Sequence, residues 1–241
     1  MPYANTPGVV GNQQIALFGL PDTTARALPG QVLAANDTYW GGAEFIYAKA
    51  GGTIPMAATC AIVVTVASGQ SVFTASAVGN TANLACPVYI AMTPMTVGQF
   101  GWFCMEGFVP VASGASVAAD TSLGITAAGV LGAVAAGKQI LGLRNMLPAT
   151  TTVVKAGVAN SGSKLLTVSN ADGWFIGAYL SGTGIAASSL IVDIDPSGTQ
   201  VTLNNATTAA VNGNVTATYN NATIFYNVAL INRPHAQGAI T

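Results

Sequence analysis

The sequence predicts an all-β protein in three parts: an N-terminal extended arm, a small β barrel or sandwich, and a second small β domain. Three observations carry this. Apolar runs of strand length recur along the chain, with Gly, Ser, Asn and Pro between them. No segment sustains a helical period, and 28 glycines and 11 prolines punctuate the 241 residues. From Thr150 onward Ser, Thr, Asn and Gly become more frequent, as expected where one domain gives way to another.

Residues 1–28 contain Pro2, Pro7 and Pro21, with Gly8, Gly11 and Gly19 between them, and no sustained period. They read as an extended arm, with a reach on the order of 90 Å at about 3.3 Å per residue. Its apolar residues Ile15, Leu17, Phe18 and Leu20 exceed what a free tail needs. They predict an arm laid over another subunit, and are candidate interface residues.

The runs at 45–48, 60–66, 71–75, 87–93, 122–126 and 139–143 predict the strands of the first domain. Its centre is the stretch from Val97 to Val111. Two β-rich runs there, Phe100 to Met105 and Phe108 to Val111, predict a hairpin reversing at Glu106–Gly107, where glycine can adopt positive φ. Alternation sends Phe100, Trp102 and Cys104 to one face and Phe103 and Met105 to the other. Such a strand is covered on both sides, by its own barrel or by a neighbouring subunit, so Phe100, Trp102 and Phe103 join the interface candidates. The Ala-rich run 130–136 admits a helix, which Gly129, Gly132 and Gly137 weaken.

In the second domain, runs at 152–156, 164–169, 174–180, 190–194, 201–204 and 215–219 predict strands, and Asp195-Pro-Ser-Gly198 suits a type I turn. After Asn221 a further run, Thr223 to Ile231, is too apolar for a free tail. It predicts a return to the first domain, whose edge would otherwise lack cover. The expected organisation is therefore an arm at 1–28, a first domain of 29–148 plus 222–234, an inserted and exposed domain at 150–221, and a tail at 235–241.

Charge bounds the function. Lys, Arg, Asp and Glu make up 6% of the chain, net charge is −1, and no charged residue lies between Lys49 and Glu106. Ordinary soluble domains carry about 25%. A surface so poor in charge tends to associate, which predicts a component of a larger assembly. Mean hydropathy is +0.53. The longest apolar runs are nevertheless short and interrupted, far from the ~20 residues of a spanning helix, so no membrane partner is expected. Without clustered Lys and Arg, neither is a nucleic-acid partner. The amino end has no basic residue before Arg26 and no apolar leader run, so no secretory signal is expected. Cys60, Cys86 and Cys104 are widely spaced and odd in number, which suits buried reduced thiols in a cytosolic folding environment.

No constellation points to catalysis, a metal or a cofactor. The one histidine, His235, lies six residues from the end of the chain, and the cysteines lack the close pairs that zinc sites use. Asp193 and Asp195 share a strand face, but Asp195 suits a turn cap and Asp193 a solvated position. Trp174 and Tyr179 allow a sugar-stacking platform, with core packing as the competing role.

Val97-Gly-Gln-Phe-Gly-Trp-Phe, followed by Val109-Pro-Val, Ala115 to Leu123 and Ala136-Gly-Lys-Gln-Ile-Leu-Gly142, resembles the capsid decoration, or cement, proteins of tailed bacteriophages. In that family a G-x-x-G-W-x-x-x-x-G-x-x-x-V hairpin precedes an Ala-rich turn and an Ile-x-Gly strand. The likeness spans about 100 residues; the Pro-rich arm and the segment after Arg144 depart from it. Gly177 to Ile185, with Ile191 to Ile194 and Val201 to Thr207, is similar to a small β module of phage virion proteins and some bacterial surface proteins. The resemblance implies a β-tulip-like first domain and a homotrimer. It implies a non-enzymatic protein made in the host cytoplasm that binds the major capsid protein on the capsid surface and bridges neighbouring capsomers. The alternative is a head or tail fibre or appendage whose residues 150–221 bind a host-surface carbohydrate.

Overall fold

The computed structural model describes residues 4–5, 21–37, 41–195, 197–220 and 224–238, all-β and without a helix among them. The arm residues Ile15, Leu17, Phe18 and Leu20 lie outside these. The first ten strands are β1 (Ala4–Asn5), β2 (Val32–Asp37), β3 (Gly41–Ala50), β4 (Thr59–Ala67), β5 (Gln70–Ala77), β6 (Tyr89–Ala91), β7 (Phe100–Ser113), β8 (Ser122–Ala127), β9 (Val130–Gly132) and β10 (Gln139–Leu147). Six more, β11 (Thr152–Ala159), β12 (Leu165–Val168), β13 (Tyr179–Ser181), β14 (Ser189–Ile194), β15 (Gln200–Leu203) and β16 (Val211–Thr218), close a barrel in the order β11-β12-β15-β14-β13-β16. The chain then returns as β17 (Phe225–Ala236), hydrogen-bonded between β7 and β10.

β7 organises the first sheet. The order is β1-β2-β3-β5-β4-β6-β7-β17-β10-β8-β9, with further pairings β3–β7 and β7–β9. Those two pairings close the sheet twice. One ring runs β3-β5-β4-β6-β7 and the other β7-β17-β10-β8-β9, with β7 common to both. A strand so placed is buried on both faces, which explains its unbroken apolar text. Phe103 points into a core with Ile46, Ala48, Ile54, Cys60, Ala75 and Met95 inside the first ring. Trp102 and Cys104 point the other way, into a larger core with Phe45, Tyr47, Val109 and Val111 that continues through Tyr226 into the barrel.

The hairpin expected at Glu106–Gly107 is absent, because β7 runs straight through both residues. Glu106 opposes Glu44 while Cys104 opposes Phe45, so Met105 is the extra residue of a β-bulge beside Gly107, whose φ is +119°. A bulge and a tight reversal both recruit a glycine with positive φ, and the sequence alone does not separate them. Gly142 of the Ile-x-Gly motif has a comparable place, with φ +73° at the register shift between β10 and β17.

Other expectations shift in detail. Val130–Gly132 is a strand, and no helix follows it. Residues 174–178 are irregular and bury Trp174 and Phe175, and of the run 174–180 only Tyr179 and Leu180 are in a strand, β13. β2, with two alanines and Asn-Asp at its end, was not foreshadowed by any apolar run. β17 extends through His235 to Ala236, past the point at which a tail was expected.

Two buried asparagines fix the irregular segment between β7 and β8. Asn227 Oδ1 accepts from Val117 N (3.1 Å) and Ala149 N (2.9 Å), while its Nδ2 donates to Ala115 O (3.2 Å). Asn145 Nδ2 donates to Val117 O (2.7 Å) and Ala118 O (2.8 Å). Replacing Asn227 by Leu leaves Val117 N and the buried Ala149 N without their partner, each costing about 1–3 kcal/mol, while Ala115 O keeps the Ser113 hydroxyl. Asn227→Leu is expected to destabilise the fold by about 3 kcal/mol, read as a lower urea midpoint at unchanged slope.

Candidate interaction surface

The interface candidates on β7 fare differently. Trp102 is 6% exposed and Phe103 0%, both spent in the chain's own core. Phe100 alone among the three keeps partial exposure. Its ring stacks on Tyr47 at 6.0 Å, with Lys49 Nζ 5.8 Å from its centroid.

The described part of the arm is bound to its own chain. Asp22 and Phe100 exchange backbone hydrogen bonds, each 2.8 Å, and the buried Tyr47 hydroxyl donates to the Asp22 carboxylate at 2.6 Å. Arg26 Nε sits 2.8 Å from the same carboxylate. Burial, then the bond to Asp22, pushes the Tyr47 hydroxyl well above its usual range, so it remains a neutral donor. Opposite the β7 bulge, Arg233 reaches Glu44 (2.7 Å) and Glu106 (3.3 Å), stapling β17 to β3 and β7 at the surface.

An exposed apolar surface lies on the β4–β5 hairpin. Ser68 and Gly69 connect its strands with φ of +51° and +76°, the paired positive values of a type I′ turn whose twist suits two strands. Its base is anchored: Cys60 and Ala75 are buried, β4 pairs with β6 at Thr59 and Cys60, and β5 pairs with β3 at Thr74 and Ala75. Beyond those pairings residues 64–67 and 70–73 project by about 13 Å, with the half-buried Phe73 ring lying against Gly30. Val63 is 59% exposed, Val64 54% and Val66 75%.

Register assigns the faces. Ile62, Val64 and Val66 lie with Ala75, Phe73 and Ser71 on one face, and Val63 and Thr65 with Thr74 and Val72 on the other. Free edges are ordinarily blunted by Lys, Pro or a bulge, and residues 61–73 contain none of these.

The barrel has exposed apolar side chains of its own, Val154 and Val158 on β11 and Leu165 on the adjacent β12. Trp174 is fully buried with its Nε1 donating to Val153 O at 3.1 Å, which removes it from any sugar platform with the half-buried Tyr179. Slight burial raises the Asp195 carboxyl, but hydrogen bonds from the Ser197 hydroxyl and from Gln200 N and Ser197 N outweigh it and hold the group below its usual range. Gly198 N donates to Asp195 O (2.8 Å), closing the turn. Burial pushes the Cys60 thiol up to about 12, and raises Cys104 and Cys86 as well, so all three stay protonated. Among the described residues, no three His, Cys, Asp or Glu side chains gather as a metal site would require.

Ile62-Val-Val-Thr-Val66 does not alternate, so its text does not mark these valines as exposed. A strand buried on both faces and one exposed on both faces share that text; the absence of charge from 50 to 105 was the available signal. No protein family, curated protein or solved structure matches this chain.

Proposed function

We propose that this chain is a non-enzymatic structural protein of a tailed-bacteriophage virion, a decoration protein that binds the outside of the capsid and bridges neighbouring capsomers. The observation that carries this reading is an exposed, charge-free apolar hairpin on a chain whose charged content is 6%. Such a surface suits permanent assembly better than a free monomer. The residues that resemble decoration proteins supply β7, the segment pinned by Asn145 and Asn227, and β10, all parts of the second ring. The partners are the major capsid protein and further copies of this chain, and the mechanism is mechanical. Apolar burial at about 25 cal/mol per Å², over an interface of about 800 Å² per partner, holds capsomers together across their joints.

The test is titration of the purified chain onto undecorated capsids, followed by thermal or osmotic challenge. Saturable binding in hundreds of copies with raised particle stability is expected; absence of binding overturns the reading. With so few charged groups to screen, attachment is expected to change less than about threefold between low salt and about 0.5 M NaCl. Release of the protein by moderate salt, measured by sedimentation of the particles, contradicts this.

A further inference from the structure

We infer that residues 22–31 form a releasable strap, hinged at the turn before β2 and latched by Asp22 onto Tyr47 and Phe100, which opens without unfolding either ring. The inference stands on the strap's own bonds, whether or not the chain decorates a capsid.

One residue of β3 holds both ends of the strap. At the hinge, Gly30 N donates to Tyr47 O (2.7 Å) and Tyr47 N donates to Gln31 O (2.9 Å). Pro29 and Gly30, with φ +88° at Gly30 and Gln31 N donating to Leu28 O at 2.8 Å, make the hinge a type II turn continuous with β2. At the latch, the Tyr47 hydroxyl accepts from Arg26 N (3.2 Å) and donates to the Asp22 carboxylate (2.6 Å). Asp22 also exchanges backbone hydrogen bonds with Phe100, outside any named strand.

The two ends differ in what holds them. The hinge belongs to the sheet, whereas the latch is polar and concentrated on Asp22. Between them Thr23, Thr24, Ala25 and Arg26 are exposed, and the small Ala27 packs against the core. A segment held by apolar burial must give that burial up to open. Here the Asp22 carboxylate and the Arg26 guanidinium, 2.8 Å apart, recover their hydration when the strap lifts, so opening costs less than breaking a ladder. The consequence lies beneath it. Tyr47 is fully buried with the strap closed, and its ring stacks on Phe100. One side-chain latch therefore decides whether this aromatic face is covered or accessible.

The experiment uses limited trypsin digestion of the full chain, followed by intact mass. Arg26 is the first basic residue of the sequence, so a cut there removes residues 1–26 and reports the open strap. When opening and closing are fast beside cleavage, the rate follows the open population. Tyr47→Phe and Asp22→Ala are each expected to speed cleavage after Arg26 by about tenfold or more, with cleavage at the other Lys and Arg residues unchanged and the melting temperature lowered by less than about 4 °C. In the wild-type chain this rate should rise far less steeply with urea than global unfolding does. Folded variants cut at the wild-type rate overturn the proposal, and so does a urea dependence as steep as that of global unfolding. If neither variant folds, amide exchange of the wild-type chain decides. The Phe100 amide, bonded only across the latch to Asp22 O, should then exchange well ahead of the β7 amides within the β3 ladder, and equal protection overturns the strap.

Discussion

Ending the chain at Asn221 is expected to leave no folded protein, whereas replacing 150–221 by a short Gly-Ser linker should preserve a cooperatively folded first sheet. The stop removes β17, which lies between β7 and β10 and completes the second ring. It also strips Tyr226, Val228, Ala229 and Ile231 from the core. At about 1.5–3 kcal/mol for each large apolar side chain, the loss approaches the 5–15 kcal/mol that typically separates folded from unfolded chains. The excision is geometrically mild. Tyr219 N donates to Thr151 O at 3.3 Å, Asn220 bridges to Phe225, and Ala149 N rests on Asn227 Oδ1, so the barrel's entry and exit lie side by side. Its cost falls on Tyr226, which loses its edge-on contact with Phe175 at 5.3 Å. Soluble expression, circular dichroism and a thermal melt distinguish the outcomes: a lowered but cooperative melt for the excision, and aggregation for the stop. A well-folded protein ending at 221 would contradict the role assigned to β17.

Gly107→Val is expected to destabilise the fold by about 4 kcal/mol or more, enough to put most of the protein in the insoluble fraction. A Cβ at this position would lie 2.6 Å from Ala43 Cβ and 2.9 Å from both Ala43 Cα and Gly42 O, and φ of +119° is strained for any side chain. The backbone strain contributes about 1–3 kcal/mol, and forcing β3 away from β7 adds a similar amount. Gly52→Ala is the control, since nothing lies within 4 Å of a Cβ there. It should change the urea midpoint by less than the equivalent of about 0.5 kcal/mol. Equal stability of the two variants would show that the bulge tolerates rearrangement.

Much of the strand content is legible in the sequence because burial alternates or runs unbroken over short windows. Lys164 to Ser169 and Leu190 to Ile194 announce β12 and β14 in this way, and Asp195 with Gly198 announces the turn after them. Closure is not legible. Phe100 to Ser113 carries the text of a doubly covered strand, but nothing local says that the cover is two rings meeting on it. Exposure is not legible for a related reason. Trp102 and Phe103 are large aromatics buried in the core, while Val63, Val64 and Val66 have the text of core residues and are exposed. Residue type reports what a side chain would prefer; the sheet's long-range pairings decide what it receives.

The sharing of β7 also sets an order on the ribosome. β3, β4, β5 and β6 all precede β7, so the first ring can close as soon as Ser113 has emerged. The second ring needs β17, roughly 110 residues later, and synthesis at about 5–20 residues per second imposes a wait on the order of 10 s. Through that interval the distal half of β7 presents an unpaired apolar edge while the barrel, joined by short connections, folds beside it. The nascent chain is therefore most exposed to misassembly late in its synthesis, and a chaperone that shields strand edges would act there.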